Sequence, residues 1–142
     1  IWLVQRFVEA PDGAIIRAEF VGGQFLYAVR VETGGGFRLC PSDTCAPAAR
    51  GTAPRFEILE GFTHPLLHRM EAFLLANSIG VGAVEFVTDA SGAGYAYDVN
   101  TNTNYNAAAE RIAGRQGAAT GMGAIAAHLT ALLRQEAHVT AA

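Results

Sequence analysis

An acid and a row of carboxamides stand together in Tyr97-Asp98-Val99-Asn100-Thr101-Asn102-Thr103-Asn104-Tyr105-Asn106. Side chains alternate along a strand, so Asp98 and Asn100 fall on one face of it. Oxygen ligands at that spacing suit a hard cation such as Mg²⁺, which usually holds substrate phosphates as well. The run therefore points to nucleotide chemistry. Asn, Asp and Thr also favour turns and helix N-caps through local hydrogen bonds, so a cap-and-turn reading stands beside the metal site. Glu85 lies thirteen residues before Asp98. With a hairpin between them, the two acids can face each other across adjacent strands. A shared divalent ion would offset their repulsion and clamp phosphoryl oxygens. The competing reading of Glu85 is a polar edge residue with a partner of its own.

Other candidates carry less chemistry. His64 and His68 are four residues apart with no third ligand nearby, which favours a solvated helix start over zinc. The glycines at 34–36 are followed by no Lys-Ser/Thr pair, so they read as a turn or lid rather than a phosphate loop. Cys40 and Cys45 lack the second pair of a structural zinc site; a disulfide is geometrically possible, and the favoured reading is reduced thiols in a cytosolic loop.

The elements that must position these residues follow from patterning. Residues 2–9, 14–21 and 24–32 are rich in Val, Ile, Phe and Tyr and are separated by Pro11-Asp12-Gly13 and Gly22-Gly23, the pattern of an antiparallel meander. In the second run Ile15, Arg17, Glu19 and Val21 share a face opposite Ile16, Ala18 and Phe20. In the third, Phe25, Tyr27, Val29 and Val31 oppose Leu26, Ala28 and Arg30. One sheet face is expected to be apolar and the other to carry Arg17 and Glu19 with Arg30 and Glu32. A long loop spans 34–54, with a short strand at 37–40, and another short strand is expected at 55–59. A helix starts near Pro65 and stops at Gly80, with Leu66, Met70, Phe73, Leu74 and Asn77 at helical spacing. Residues 81–88 and 95–100 form a second hairpin turning through Asp89-Ala90-Ser91-Gly92. Helices follow at about 106–113 and 123–137. The fold class is α+β, an antiparallel sheet with flanking helices.

At 142 residues, with 51% hydrophobic and 16% charged residues, the chain fits one domain with a real core. A net charge of −3 and scattered basic residues argue against a nucleic-acid partner. All ten basic residues are Arg. Lysine commonly braces nucleotide phosphates, so either arginines do that here or the lysines lie elsewhere. No run of eighteen apolar residues occurs, so no spanning helix and no membrane partner are expected, and a cytoplasmic location is the expectation. The opening Ile1-Trp2-Leu3-Val4 looks like the middle of a strand, so a fragment of a longer chain is expected.

An acid in a hydrophobic strand, a hairpin, then acid-x-Asn at the next strand's end resembles the C-terminal part of the ATP-grasp fold, most closely ribosomal-protein glutamate ligases and related carboxylate-amine ligases. The resemblance covers most of the chain, residues 1–142 being read as that subdomain. It implies that residues 1–7 are the strand at the hinge between two subdomains, with Val4 and Gln5 beside adenine. It likens Ile16-Arg17 and Val29-Arg30 to the family's two arginine-bearing strands, making Arg17 and Arg30 the cations that stabilise the transferring phosphoryl group. Val84-Glu85-Phe86 resembles the first metal-binding strand and Asp98-Val99-Asn100 the second, so Glu85, Asp98 and Asn100 would hold Mg²⁺ on ATP. Asn102 occupies the next same-face position. Asp98 stands where the family more often has Glu, and Thr101-Asn102-Thr103-Asn104 lacks the Pro-Gly turn common in glutamate ligases.

The resemblance implies an ATP- and Mg-binding half of a carboxylate-amine ligase that works through an acyl phosphate on a small carboxylate or peptide substrate. The isolated fragment would be inactive without an N-terminal subdomain of the same chain. A non-catalytic interaction module, with the Asn run only a cap and Glu85 and Asp98 on different faces, is one alternative. An ATP-grasp kinase acting on a small molecule is the other. For the arginines, the competing reading is an ion pair with Glu19 or Glu32.

Overall fold

The computed structural model describes residues 4–32 and 56–140. Five strands form one antiparallel sheet: β1 (Ala14–Val21), β2 (Gln24–Glu32), β3 (Phe56–Leu59), β4 (Val81–Thr88) and β5 (Gly94–Asn100). Their order is β3-β2-β1-β4-β5, so the two hairpins lie side by side with β1 against β4. The helices are α1 (Leu66–Ala76), α2 (Ala107–Ile112) and α3 (Gly121–Thr140), the last preceded by a 3₁₀ turn at Gly117–Ala119. The expected α+β class, antiparallel sheet and flanking helices are all present. The glycines at 34–36, the short strand at 37–40, Cys40, Cys45 and the first three residues of the expected hinge strand lie outside the described residues.

The strand expected over 2–9 does not form in its described part, since residues 4–10 take no regular structure. A strand needs a neighbour to satisfy its amides and carbonyls. Among the described residues no strand pairs with this segment, and Val4 is 91% exposed while only Val8 packs against the core.

The division into one apolar and one charged face is also corrected. Both faces bury apolar side chains. On one, Ala18, Phe20, Val84 and Phe86 pack against Leu67, Met70 and Leu74 of α1. Phe73, expected on the buried stripe of that helix, is exposed. On the other, Ile15, Tyr27, Val29, Val31, Ile58 and Val87 meet Ala109 of α2. A bulge explains part of the difference. Glu19 pairs with Tyr27 but Phe20 pairs with Phe25, leaving Leu26 as the extra residue. A bulge switches the faces of the residues beyond it, so Phe25 joins Phe20 instead of Tyr27.

The two later helices are set by capping. The Asn106 side chain accepts the amide of Ala109 at 2.9 Å, which starts α2 where the sequence places it. Helix α3 begins two residues before the expected start. The Glu110 carboxylate accepts the Gly121 amide at 2.6 Å and Thr120 Oγ1 accepts that of Gly123 at 3.1 Å, satisfying amides that would otherwise have no partner. Its His128 lies over the turn between the first two strands, with Nδ1 3.0 Å from where a Cβ on Gly22 would sit. Gly22 has φ +63°. Any other residue there would meet both strain and the imidazole.

Candidate functional site

The sheet register brings three of the sequence-selected residues into one row. Arg17 on β1 is directly opposite Glu85 on β4, and Glu85 is directly opposite Asp98 on β5. Directly opposed residues project from the same face, so all three side chains leave the sheet on the side covered by α2. In the next row along the strands, Glu19 is opposite Ala83 and Ala83 is opposite Asn100. Asp98 and Asn100 share the face, as period-two spacing requires.

That meeting depends on a second bulge. Phe86 pairs with Ala96, but Glu85 pairs with Asp98, so Tyr97 is the extra residue. Without it Tyr97 would oppose Glu85, and Asp98 would point to the α1 side of the sheet. Tyr97 itself donates its hydroxyl to Glu85 Oε2 at 2.9 Å.

Electrostatics distinguish the acids. Burial pushes the Glu85 carboxyl above the ordinary carboxylate range; the Tyr97 hydroxyl and Arg17 pull it back, and nearby Asp98 pushes it further up. Asp98 is exposed and has no hydrogen-bond or ion-pair partner among the described residues. Asn100 Oδ1 accepts the amide of Asn102 at 2.8 Å, closing an Asx turn. The chain just after the strand is therefore locally fastened, and Asn102 takes part through its backbone.

Arg17 and Arg30 do not come together. Arg30 is opposite Ile16, on the α1 side of the sheet, while Arg17 is opposite Val29 on the α2 side. Arg30 donates to Glu32 at 2.9 Å and to Asp12 at 3.4 Å. Arg17 Nε donates to Glu19 Oε1 at 2.7 Å and its Nη2 to the Asn104 carbonyl at 2.8 Å. Each arginine thus pairs with Glu19 or Glu32, but with the acid two residues along its own strand rather than one across the sheet. Val4 and Gln5 are exposed in the irregular segment before β1. That segment continues into one wall of a cleft of about 570 Å³, lined by Arg6, Phe7, Val8 and by Asp89, Ser91 and Tyr95 of the hairpin turn.

His64 and His68 diverge. The His64 Nδ1, just before the N-cap residue Pro65, accepts the Leu66 amide at 3.1 Å, and His68 sits by Glu71 at the surface. Among the described residues no group of three or more His, Cys, Asp or Glu side chains is placed to hold a metal. The candidate ligand set is two carboxylates and one carboxamide, all hard oxygen donors, a donor chemistry that fits Mg²⁺.

Three further side chains near this row carry no signal in the sequence spacing. Glu19, considered only as a partner for Arg17, is fully buried and also accepts the Thr103 hydroxyl. Tyr97, the bulged residue, donates its hydroxyl to Glu85. Glu110 is buried between the Tyr27 hydroxyl, 2.7 Å away, and the Gly121 amide, and no spacing in the sequence announces it.

Solved structures with a similar chain path include an ATP-grasp ligase and a macrocyclase. The ligase PsnB, in complex with a phosphomimetic variant of its minimal precursor, Mg and ADP, superposes with a TM-score of 0.55 at 13% identity, over 84% of this chain and 32% of its own. PsnB with its minimal precursor gives 0.56 at 12% identity over 85% and 34%. The macrocyclase MdnB from Microcystis aeruginosa MRC gives 0.50 at 17% identity over 82% and 37%. The chain spans about a third of the length of these structures. No family model and no curated protein matches the sequence. The likeness is one of fold: this is an ATP-grasp-like sheet with its flanking helices.

Proposed function

We propose that this chain is the Mg²⁺- and nucleotide-binding part of an ATP-dependent ligase that joins a carboxylate to an amine. The observation that carries the reading is the cross-strand row Arg17, Glu85, Asp98 on an ATP-grasp-like sheet, with Asn100 one step along the same face. Glu85 and Asp98 supply two adjacent carboxylates. Such a pair is costly without a counter-charge, and Arg17 is the cation that the register places beside it. Asp98 needs no rearrangement to accept a ligand, since it has no partner to give up among the described residues.

In this reading Glu85, Asp98 and Asn100 hold Mg²⁺ against the phosphates, and Arg17 offsets charge on the transferring phosphoryl group. ATP supplies that group: its γ-phosphoryl passes to a substrate carboxylate, giving ADP and an acyl phosphate. An amine then attacks the acyl carbon, phosphate leaves and an amide forms. Arg30, on the other side of the sheet and engaged by Glu32 and Asp12, is left out of the site. Val4 and Gln5 are the positions proposed to lie beside adenine. PsnB is described with ADP, Mg and a minimal precursor, which supports nucleotide and Mg²⁺ as the ligands to try first. The rest of the cradle is proposed to come from a further subdomain of the same chain, in keeping with the share of the ligases that this chain spans, and the site is proposed to work in the cytoplasm.

Calorimetric titration of the full-length protein with ATP and Mg²⁺ tests the proposal. Binding that depends on Mg²⁺ and disappears in the Asp98→Ala, Asn100→Ala double variant is the expected result. Unchanged binding and turnover in that variant would overturn it.

A further inference from the structure

Glu19 is the one acid of this sheet whose side chain is completely enclosed, at 0% exposure. Its positions along the strand explain why that is unusual. Ile15, two pairs away on the same face, and Val29 across from Arg17 are apolar and buried, so packing alone would favour an aliphatic residue at position 19. An enclosed carboxylate is tolerated only when its oxygens are well supplied with donors. Here Oε1 accepts Arg17 Nε at 2.7 Å and Thr103 Oγ1 at 3.1 Å, and Oε2 accepts Thr103 Oγ1 at 2.9 Å.

These contacts join two parts of the candidate site that are far apart in sequence. Thr103 belongs to the loop leaving β5 immediately after Asp98 and Asn100, and Arg17 is the cation beside Glu85. Arg17 closes the connection by donating Nη2 to the Asn104 carbonyl at 2.8 Å. The loop is therefore held at three successive residues: the Asn102 amide by Asn100, the Thr103 hydroxyl by Glu19, and the Asn104 carbonyl by Arg17. Asn106 then caps α2. Ala83, between Glu19 and Asn100 in the register, has no side chain beyond Cβ to separate them. Arg17 Nη1 has no acceptor among the described residues, so a planar guanidinium clamped on two of its three nitrogens keeps one free for a phosphate oxygen.

We propose that Glu19 is a positioning residue of the nucleotide site, acting through Arg17 and Thr103 to fix the guanidinium and the loop after Asn100 in one arrangement before ligand arrives. The inference rests on the Mg²⁺-nucleotide reading of Glu85, Asp98 and Asn100 and adds a residue that touches neither. Preorganisation of this kind is felt as weaker ligand binding when the support is removed, even though the ligand contacts remain.

A double-mutant cycle on Mg²⁺-ATP affinity of the full-length protein tests it, using Glu19→Gln, Arg17→Ala and the pair, with thermal melting recorded alongside. If Glu19 acts through Arg17, each single variant weakens binding by about tenfold and the pair is no weaker than Arg17→Ala alone. Should Glu19→Gln not fold, Thr103→Val replaces it in the cycle, since its hydroxyl bonds only to Glu19 among the described residues. A purely structural role would lower the melting temperature while leaving affinity per folded molecule unchanged, and that result overturns the proposal. So do losses that simply add in the double variant. Intact Mg²⁺-ATP binding after Asp98→Ala, Asn100→Ala would instead overturn the reading of the site itself, so the two failures are told apart by which variants bind.

Discussion

The two faces of the sheet solve the same problem differently. The face under α1 is closed with Ala18, Phe20, Val84 and Phe86 against Leu67, Met70 and Leu74, a continuous apolar contact. The face under α2 is apolar only over β2, β3 and the ends of β1 and β4. Toward β5 it changes to Arg17, Glu19, Glu85, Asp98 and Asn100, from the enclosed Glu19 to the exposed Asp98. Apolar closure is non-directional and tolerates shifts, whereas charged side chains must be held by specific donors and acceptors. One face therefore supplies stability and the other supplies geometry.

The largest expected effect tests the closed face. Phe86→Ala removes a fully buried ring and should cost about 3–5 kcal/mol of unfolding free energy in urea. Asp98→Ala on the open face should change it by no more than about 0.5 kcal/mol while abolishing Mg²⁺-dependent nucleotide binding. A loss near that of Phe86→Ala would mean the open face is part of the core and would remove the contrast.

An intermediate effect concerns pH. Burial raises the Glu19 carboxyl above its ordinary 4.5, against the opposing pull of Arg17 and Thr103. An acid raised on folding binds more protons folded than unfolded, so its contribution to stability is present below 4.5 and declines as pH rises through the folded value. Glu19→Gln cannot titrate. Its stability relative to the parent should therefore improve as pH is raised through that window, measured by denaturation at a series of pH values; a difference that stays flat would show the carboxyl is not strained by burial.

The smallest effect sharpens the boundary between the two halves of the α2 face. The Tyr105 hydroxyl is buried without a hydrogen-bond partner among the described residues, and burial together with Glu19 and Glu110 pushes it up to about 12. Removing an unsatisfied polar group is neutral or favourable. Tyr105→Phe should raise unfolding free energy by up to about 1 kcal/mol, whereas a loss would place a donor or acceptor near that ring.

Much of this arrangement is legible in the chain. Alternation gave β1, β2, β4 and β5 nearly to the residue, and the Asn106 cap placed α2, because both signals are local. Asp98 and Asn100 share a face for the same reason. What failed was the extrapolation of alternation through irregular pairing. The bulge at Tyr97 lets Asp98 meet Glu85, and the one at Leu26 sends Phe25 to the other face; neither residue type demands a bulge. Arg17 and Arg30 look alike in sequence, but the register of Arg30 opposite Ile16 puts it on the other side of the sheet.

The sequence by itself determined which segments are strands and helices, that the fold is an antiparallel α+β sheet, and which oxygen donors stand near a strand end. These are properties of neighbours along the chain, carried by side-chain period, turn residues and caps. Only the tertiary structure decided that β1 lies beside β4, that Arg17, Glu85 and Asp98 form one row, and that Glu19 is enclosed between Arg17 and Thr103. Those facts depend on register between strands up to seventy residues apart and on the fit of a loop against them. Burial and pairing then decide which acids are strained and which remain open, and no local pattern carries that information.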